Sequence, residues 1–231
     1  MSIAENIAQV RTNIAQACAQ AGRSPEEITL VGASKMNDAA ACREAIAAGI
    51  DALGENRVQE MTAKLADNAY DGAPLHFIGH LQRNKVKQVV GKVALIQSVG
   101  SMELLEEIEK VAAREQLVQD ILLEVNIGRE EAKSGFDPDA VTAAAEAALS
   151  LPHVRVRGLM TIPPADADRD ANMRYFQEVQ ALYVDINTKL FHNELKCLSM
   201  GISGDYMDAI RCGATMVRVG TAIFGARNYN I

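Results

Sequence analysis

The sequence predicts a single α/β domain over residues 1–231, a (β/α)8 barrel of the TIM type with one extra helix at its start, and three observations predict it. Short β-rich runs recur eight times along the chain. Stretches of helical periodicity separate them, each long enough for a crossover helix, which implies parallel strands. No G-x-G-x-x-G follows the first run, which argues against the competing doubly wound open sheet and its phosphate loop. With 231 residues, 48% of them hydrophobic, the chain can bury a large core without metals or disulfides.

Taken in order, residues 2–20 read as the extra helix, with Ile3, Ile7, Val10, Ile14 and Ala15 on one face and Gly22 placed to end it. It is expected to cover one end of the barrel. The strands follow at 28–34, 52–55, 75–79, 94–98, 120–126, 154–161, 197–201 and 216–224. Between the fourth and fifth, residues 101–114 place Leu104, Leu105, Ile108 and Val111 on one stripe and Glu103, Glu106, Glu107 and Lys110 on the other. The Pro- and Asp-rich run 163–168 reads as a loop at the barrel mouth, ahead of a helix over 171–191.

A formal charge of -7 argues against a nucleic-acid partner and against an anionic membrane surface. The local basic run with Arg83, Lys85 and Lys87 reads as a solvated helix face. Four cysteines lie far apart with no Cys-x-x-Cys pair, so neither a zinc ribbon nor a redox dithiol is expected. No basic patch leads into an apolar stretch at the start, and no window approaches 18 uninterrupted apolar residues. The expectation is a soluble cytoplasmic protein.

Barrels of this kind place their chemistry at the C-terminal ends of the strands, and here those ends are polar. Ser34 and Lys35 end the first, Glu55, Asn56 and Arg57 the second, and Gly79 and His80 the third. Met160 and Thr161 end the sixth. Glycines and hydroxyls gather after the seventh and eighth, at Ser199, Gly201, Ser203, Gly220 and Thr221. That concentration matches the usual place of a phosphate in this fold. Lys35 directly terminates a core strand, where a partly desolvated amine becomes a nucleophile toward an aldehyde; its position alone leaves a snorkelling or ion-paired lysine equally open. An aldehyde and a phosphate together describe pyridoxal 5'-phosphate (PLP), or the phosphosugar substrate of a Schiff-base aldolase. Arg218, inward on the eighth strand, could meet a pyridine nitrogen or form a salt bridge inside the barrel. His76 and His80 flank Ile78 with no carboxylate at ligand spacing, so no metal site is expected.

The blocks 30–35, Gly54-Glu55-Asn56, His76-Phe77-Ile78-Gly79-His80, 133–136, 158–162, 199–203 and 217–225 resemble, in this order, the PLP homeostasis proteins. These are small PLP-binding barrels related to the N-terminal domain of alanine racemase. The resemblance implies an internal aldimine between PLP and Lys35, Arg218 at the pyridine nitrogen, and Ser199, Ser203, Gly220 and Thr221 around the phosphate. Asn56, His80 and Met160 would line the cofactor's rim. The chain departs from the family pattern at Met36-Asn37-Asp38, where a proline often follows the lysine, and at Leu75, Arg57 and Ile202.

A racemase needs acid and base groups on opposite faces of the substrate carbon. Lys35 can be one; in alanine racemases a tyrosine from a second domain is the other, whereas here only 226–231 follow the eighth strand. Of Tyr70, Tyr175, Tyr183, Tyr206 and Tyr229, only Tyr206 has an obvious route toward the mouth. The resemblance therefore implies PLP homeostasis with little or no amino-acid turnover, with apo PLP-dependent enzymes as candidate recipients. An amino-acid racemase and a Schiff-base aldolase are the alternatives. With no large apolar patch identifiable, a monomer is expected.

Overall fold

The computed structural model describes residues 1–225, and in it all eight β-rich runs form strands. They are β1 (Thr29–Ala33), β2 (Ala52–Glu55), β3 (Leu75–Phe77), β4 (Leu95–Val99), β5 (Gln119–Val125), β6 (Val154–Thr161), β7 (Cys197–Ser199) and β8 (Met216–Val219). Each pairs in parallel with the next, and β1 pairs with β8 to close the barrel, Val31 lying opposite Ala52 on one side and Arg218 on the other.

Because side chains alternate along a strand, the sheet has two cores. The inner one is small: Val31, Ala52, Leu95, Leu122, Met160 and Met216 pack together inside the barrel. The outer one fills the space between sheet and helices. Those helices are α1 (Ile3–Ala21), α2 (Ala39–Ala47), α3 (Val58–Ala66), α4 (Met102–Arg114), α5 (Val141–Ala148), α6 (Arg169–Leu190), α7 (Tyr206–Arg211) and α8 (Thr221–Phe224). On α4 the expected stripe, Leu104, Leu105, Ile108 and Val111, is buried, each side chain contributing roughly 1.5–3 kcal/mol by leaving water. Ser101 caps it, its hydroxyl accepting from the Leu104 N–H at 3.2 Å. The basic run forms a 3-10 helix, Arg83–Gln88, that buries Val86 and leaves Arg83 and Lys87 in solvent. All four cysteines are unbridged, and Cys18, Cys42 and Cys212 are buried. Among the described residues no helix is long and apolar enough to cross a membrane.

Two expectations are corrected. The predicted strand 216–224 stops at Val219, and the chain turns at Gly220 into α8. The apolar residues beyond the turn read as strand, yet Ile223 is buried by helix packing and not by sheet pairing. The extra helix α1 does not cover an end of the barrel; it stands in the outer ring against α7, α8 and α2. With four residues, α8 is too short to cover the seam between β8 and β1, and α1 fills that place. Asn6 Nδ2 donates to the Ile223 carbonyl at 2.8 Å, and Asn13 Nδ2 to the Tyr206 hydroxyl at 2.9 Å.

Candidate functional site

A pocket opens at the C-terminal ends of β1, β2, β3, β6, β7 and β8, and Lys35, Asn56, Ser203, Arg218, Gly220 and Thr221 all line it. Lys35 sits in the turn after β1, half-buried. The backbone beside it is pinned: the Asn37 N–H donates to the Ser34 carbonyl at 3.1 Å, Asn37 Nδ2 to the Lys35 carbonyl at 3.0 Å, and the Met36 N–H to Glu60 Oε2 at 2.9 Å. Asp38 then caps α2 by accepting from the Ala41 N–H at 2.8 Å. Without the proline, the turn is held by side-chain carboxylates and by Met36 in the left-handed region (φ 61°).

Asn56 is fixed from below by a close approach. A Cβ on Gly79 would lie 2.2 Å from the Asn56 carbonyl oxygen, so only glycine lets the two strand ends meet. The Asn56 Oδ1 atom is buried with no hydrogen-bond partner among the described residues, which marks an acceptor waiting for a donor. Across the pocket, the Ser203 hydroxyl accepts from the Gly220 N–H at 3.0 Å and the Ala222 N–H at 3.4 Å, tying the loop after β7 to the turn after β8.

Arg218 forms the floor and is 3% exposed. Among the described residues its hydrogen bonds go to neutral oxygens, Nη1 to Ser199 Oγ at 2.5 Å and Nη2 to the Thr161 carbonyl at 2.8 Å. Burial takes the guanidinium down to about 10, against the pull of Glu124 and Asp205, so it stays a cation at neutral pH. A second recess shares Asn56, Ile78 and Ile162 with the pocket and continues to His80, Glu124, Lys133 and Ser134. Burial raises the Glu124 carboxyl, against a 3.1 Å hydrogen bond from the Ser134 hydroxyl.

Three expected site residues fall elsewhere. Ser199 does not reach the pocket surface: it is fully buried under Arg218, its hydroxyl donating to Gln97 Oε1 at 2.6 Å, so it is not available to a phosphate. Met160 is also fully buried, one layer down in the inner core, and Ile162 two residues on lines the pocket in its place. His80 is exposed and opens onto the second recess. Tyr206 is buried beneath α1 and lines no part of the Lys35 pocket; Tyr229 lies outside the described residues. Gln97 and Lys64, the partner of Glu55, carry no motif. Their one signal is parity, a polar residue at a position that must be buried and so must find a partner.

The family model described as "Alanine racemase, N-terminal domain" matches residues 6–228. The chain belongs to that family. A family relative from Aquifex aeolicus named "Pyridoxal phosphate homeostasis protein" is 42% identical over 229 residues, covering 99% of this chain and 100% of the relative. Among solved family structures, a protein described as unknown from Bifidobacterium adolescentis superposes with a TM-score of 0.90 at 36% identity, covering 96% of this chain and 94% of that one. PipY of Synechococcus elongatus, solved with PLP bound, superposes with a TM-score of 0.85 at 32% identity, covering 97% and 100%.

Proposed function

We propose that this chain binds PLP at the barrel mouth, attached covalently through the Lys35 amine, and serves cytoplasmic PLP homeostasis with little or no amino-acid turnover. The observation that carries the reading is the gathering in one pocket of a half-buried amine, an orphaned acceptor and a buried cation beside backbone N–H and hydroxyl groups. These residues fit the cofactor. Ser203, Gly220 and Thr221 would hold its phosphate, Arg218 would face its ring nitrogen, and Asn56 would line its rim. The family membership and the relative solved with PLP bound support PLP as the cofactor.

When bound, PLP supplies an aldehyde and an electron-withdrawing ring. Arg218 stays protonated near neutrality, so it would donate to a ring nitrogen placed against it and would leave that nitrogen without a proton of its own. This weakens the ring as an electron sink and favours storage over turnover. Tyr206, engaged by Asn13 beneath α1, supplies no acid opposite Lys35. The chain would act as a monomer and pass PLP to apo forms of PLP-dependent enzymes.

The test is the visible spectrum of the purified protein with PLP beside Lys35→Ala, followed by borohydride reduction and peptide mapping. A band absent from the variant, with the reduced adduct on Lys35, is expected. Adducts scattered over other lysines would overturn the assignment. Solvent-deuterium exchange at the α-carbon of any amino acid would overturn the storage role and restore the racemase.

A further inference from the structure

Arg218 is one end of a buried chain of polar groups that crosses the barrel interior. From β8 its Nη1 donates to Ser199 Oγ on β7 at 2.5 Å; that hydroxyl donates to Gln97 Oε1 on β4 at 2.6 Å; Gln97 Nε2 lies 3.0 Å from His76 Nδ1 on β3. All four side chains are at most 6% exposed.

The direction of every proton in this chain follows from its first member. A guanidinium has donors and no acceptor, so Ser199 Oγ must accept from it and must send its own hydrogen onward. Gln97 therefore turns its oxygen to Ser199 and its NH2 group to the ring. His76 Nδ1 is then the acceptor, and the imidazole is neutral with its proton on Nε2. Burial acts the same way on His76, lowering it to about 4.

We propose that Gln97 and Ser199 are positioning residues for Arg218. The relay from His76 fixes the guanidinium on one edge and aims its remaining N–H groups into the Lys35 pocket, toward the ring nitrogen of bound PLP. This rests on the function proposed above and gives it a second tier of residues beneath the cofactor. The relay spans β3, β4, β7 and β8, so it also ties the pocket floor to the wall opposite.

The experiment uses the full chain loaded with PLP. Gln97→Met keeps length and volume but removes the amide; Ser199→Ala removes the hydroxyl alone, and folding of each is checked by thermal denaturation. In both, the absorbance maximum of bound PLP and its pH titration should move in the direction seen in Arg218→Gln, and PLP should bind about tenfold more weakly. In the Gln97→Met, Arg218→Gln double variant the spectrum should move no further than in Arg218→Gln, because the two act through one group. In the PLP-free protein, the nitrogen-15 shift of His76 Nδ1 should be that of an unprotonated acceptor and should change in Gln97→Met. A folded Gln97→Met with the wild-type spectrum and titration, or additive effects in the double variant, would overturn the positioning role alone. No Lys35-dependent band in the wild type would overturn both the role and the function it rests on.

Discussion

Two buried polar clusters sit on opposite sides of the same sheet, and they solve the problem of a buried charge differently. Outside the sheet, Glu55 at the end of β2 accepts from Lys64 Nζ and Ser34 Oγ, each at 2.6 Å, and from the Tyr70 hydroxyl at 3.0 Å. Lys64 Nζ also donates to the Ser34 carbonyl at 2.8 Å. There, carboxylate and ammonium neutralise each other, and the cluster clamps the residues just before Lys35 and Asn56. Inside the barrel, the Arg218 cation feels Glu124 and Asp205 only at a distance: among the described residues it makes no ion pair, and its hydrogen bonds go to neutral oxygens. A charge balanced within the chain is committed to the fold. One held by neutral groups keeps donors for something else, and that distinction separates scaffold from site here.

The contrast breaks most visibly at Lys64. Lys64→Met strands a buried carboxylate and should cost about 3–5 kcal/mol, measured by denaturant unfolding, whereas Glu55→Gln combined with Lys64→Met should recover most of it. An undamaged single variant would mean that the pair is not what holds the two strand ends.

Next is the far end of the inner relay. His76 is lowered to about 4 in the folded chain against 6.5 unfolded, so between those values the unfolded state binds more protons. Its contribution is complete above about pH 6.5 and is lost as pH falls toward 4, about 3 kcal/mol in all. Thermal denaturation across that range should show a steeper acid loss in wild type than in His76→Asn; carboxylates raised by burial, such as Glu124 and Asp205, cancel in the comparison. Parallel curves would remove the buried neutral imidazole from the account.

Arg218→Met sharpens the contrast, because stability and binding should part company. Removing a buried cation whose hydrogen bonds, among the described residues, go to neutral oxygens should change stability by no more than about 1–2 kcal/mol, while PLP binding falls roughly ten- to a hundredfold. Equal damage to both would put Arg218 with Lys64 as scaffold. The smallest effect is back on the outside: Asp38→Ala uncaps α2 over the Glu55 cluster and should lower stability by about 1 kcal/mol in the same denaturant measurement.

The eight strands and the α4 stripe were legible because they depend on periods of 2 and 3.6 within one segment. So was the grouping of Lys35, Asn56, Ser203, Arg218, Gly220 and Thr221 at strand ends, since parallel topology brings those ends together. What sequence did not show depends on depth and parity. Ser199 and Ser203 look alike four residues apart, yet the first lies a layer beneath the mouth and the second at it. Glu55 reads as a mouth residue, but its neighbours Gly54 and Asn56 take the inward positions and send it outward under α3. The place of α1 depended on how little helix follows β8 among the described residues, which shows only once the 216–224 run is known to turn.

That place has a consequence in time. Asn6 meets the carbonyl of Ile223, 217 positions away in sequence, and β1 waits for β8 as its second neighbour. Ile7, Val10 and Ile14 have their cover complete only when α7 and α8 join α2 against α1, so α1 is fully seated only after contacts of long sequence separation have formed. Closure of the seam between β8 and β1 is therefore expected late in folding, with the apolar face of α1 exposed until then.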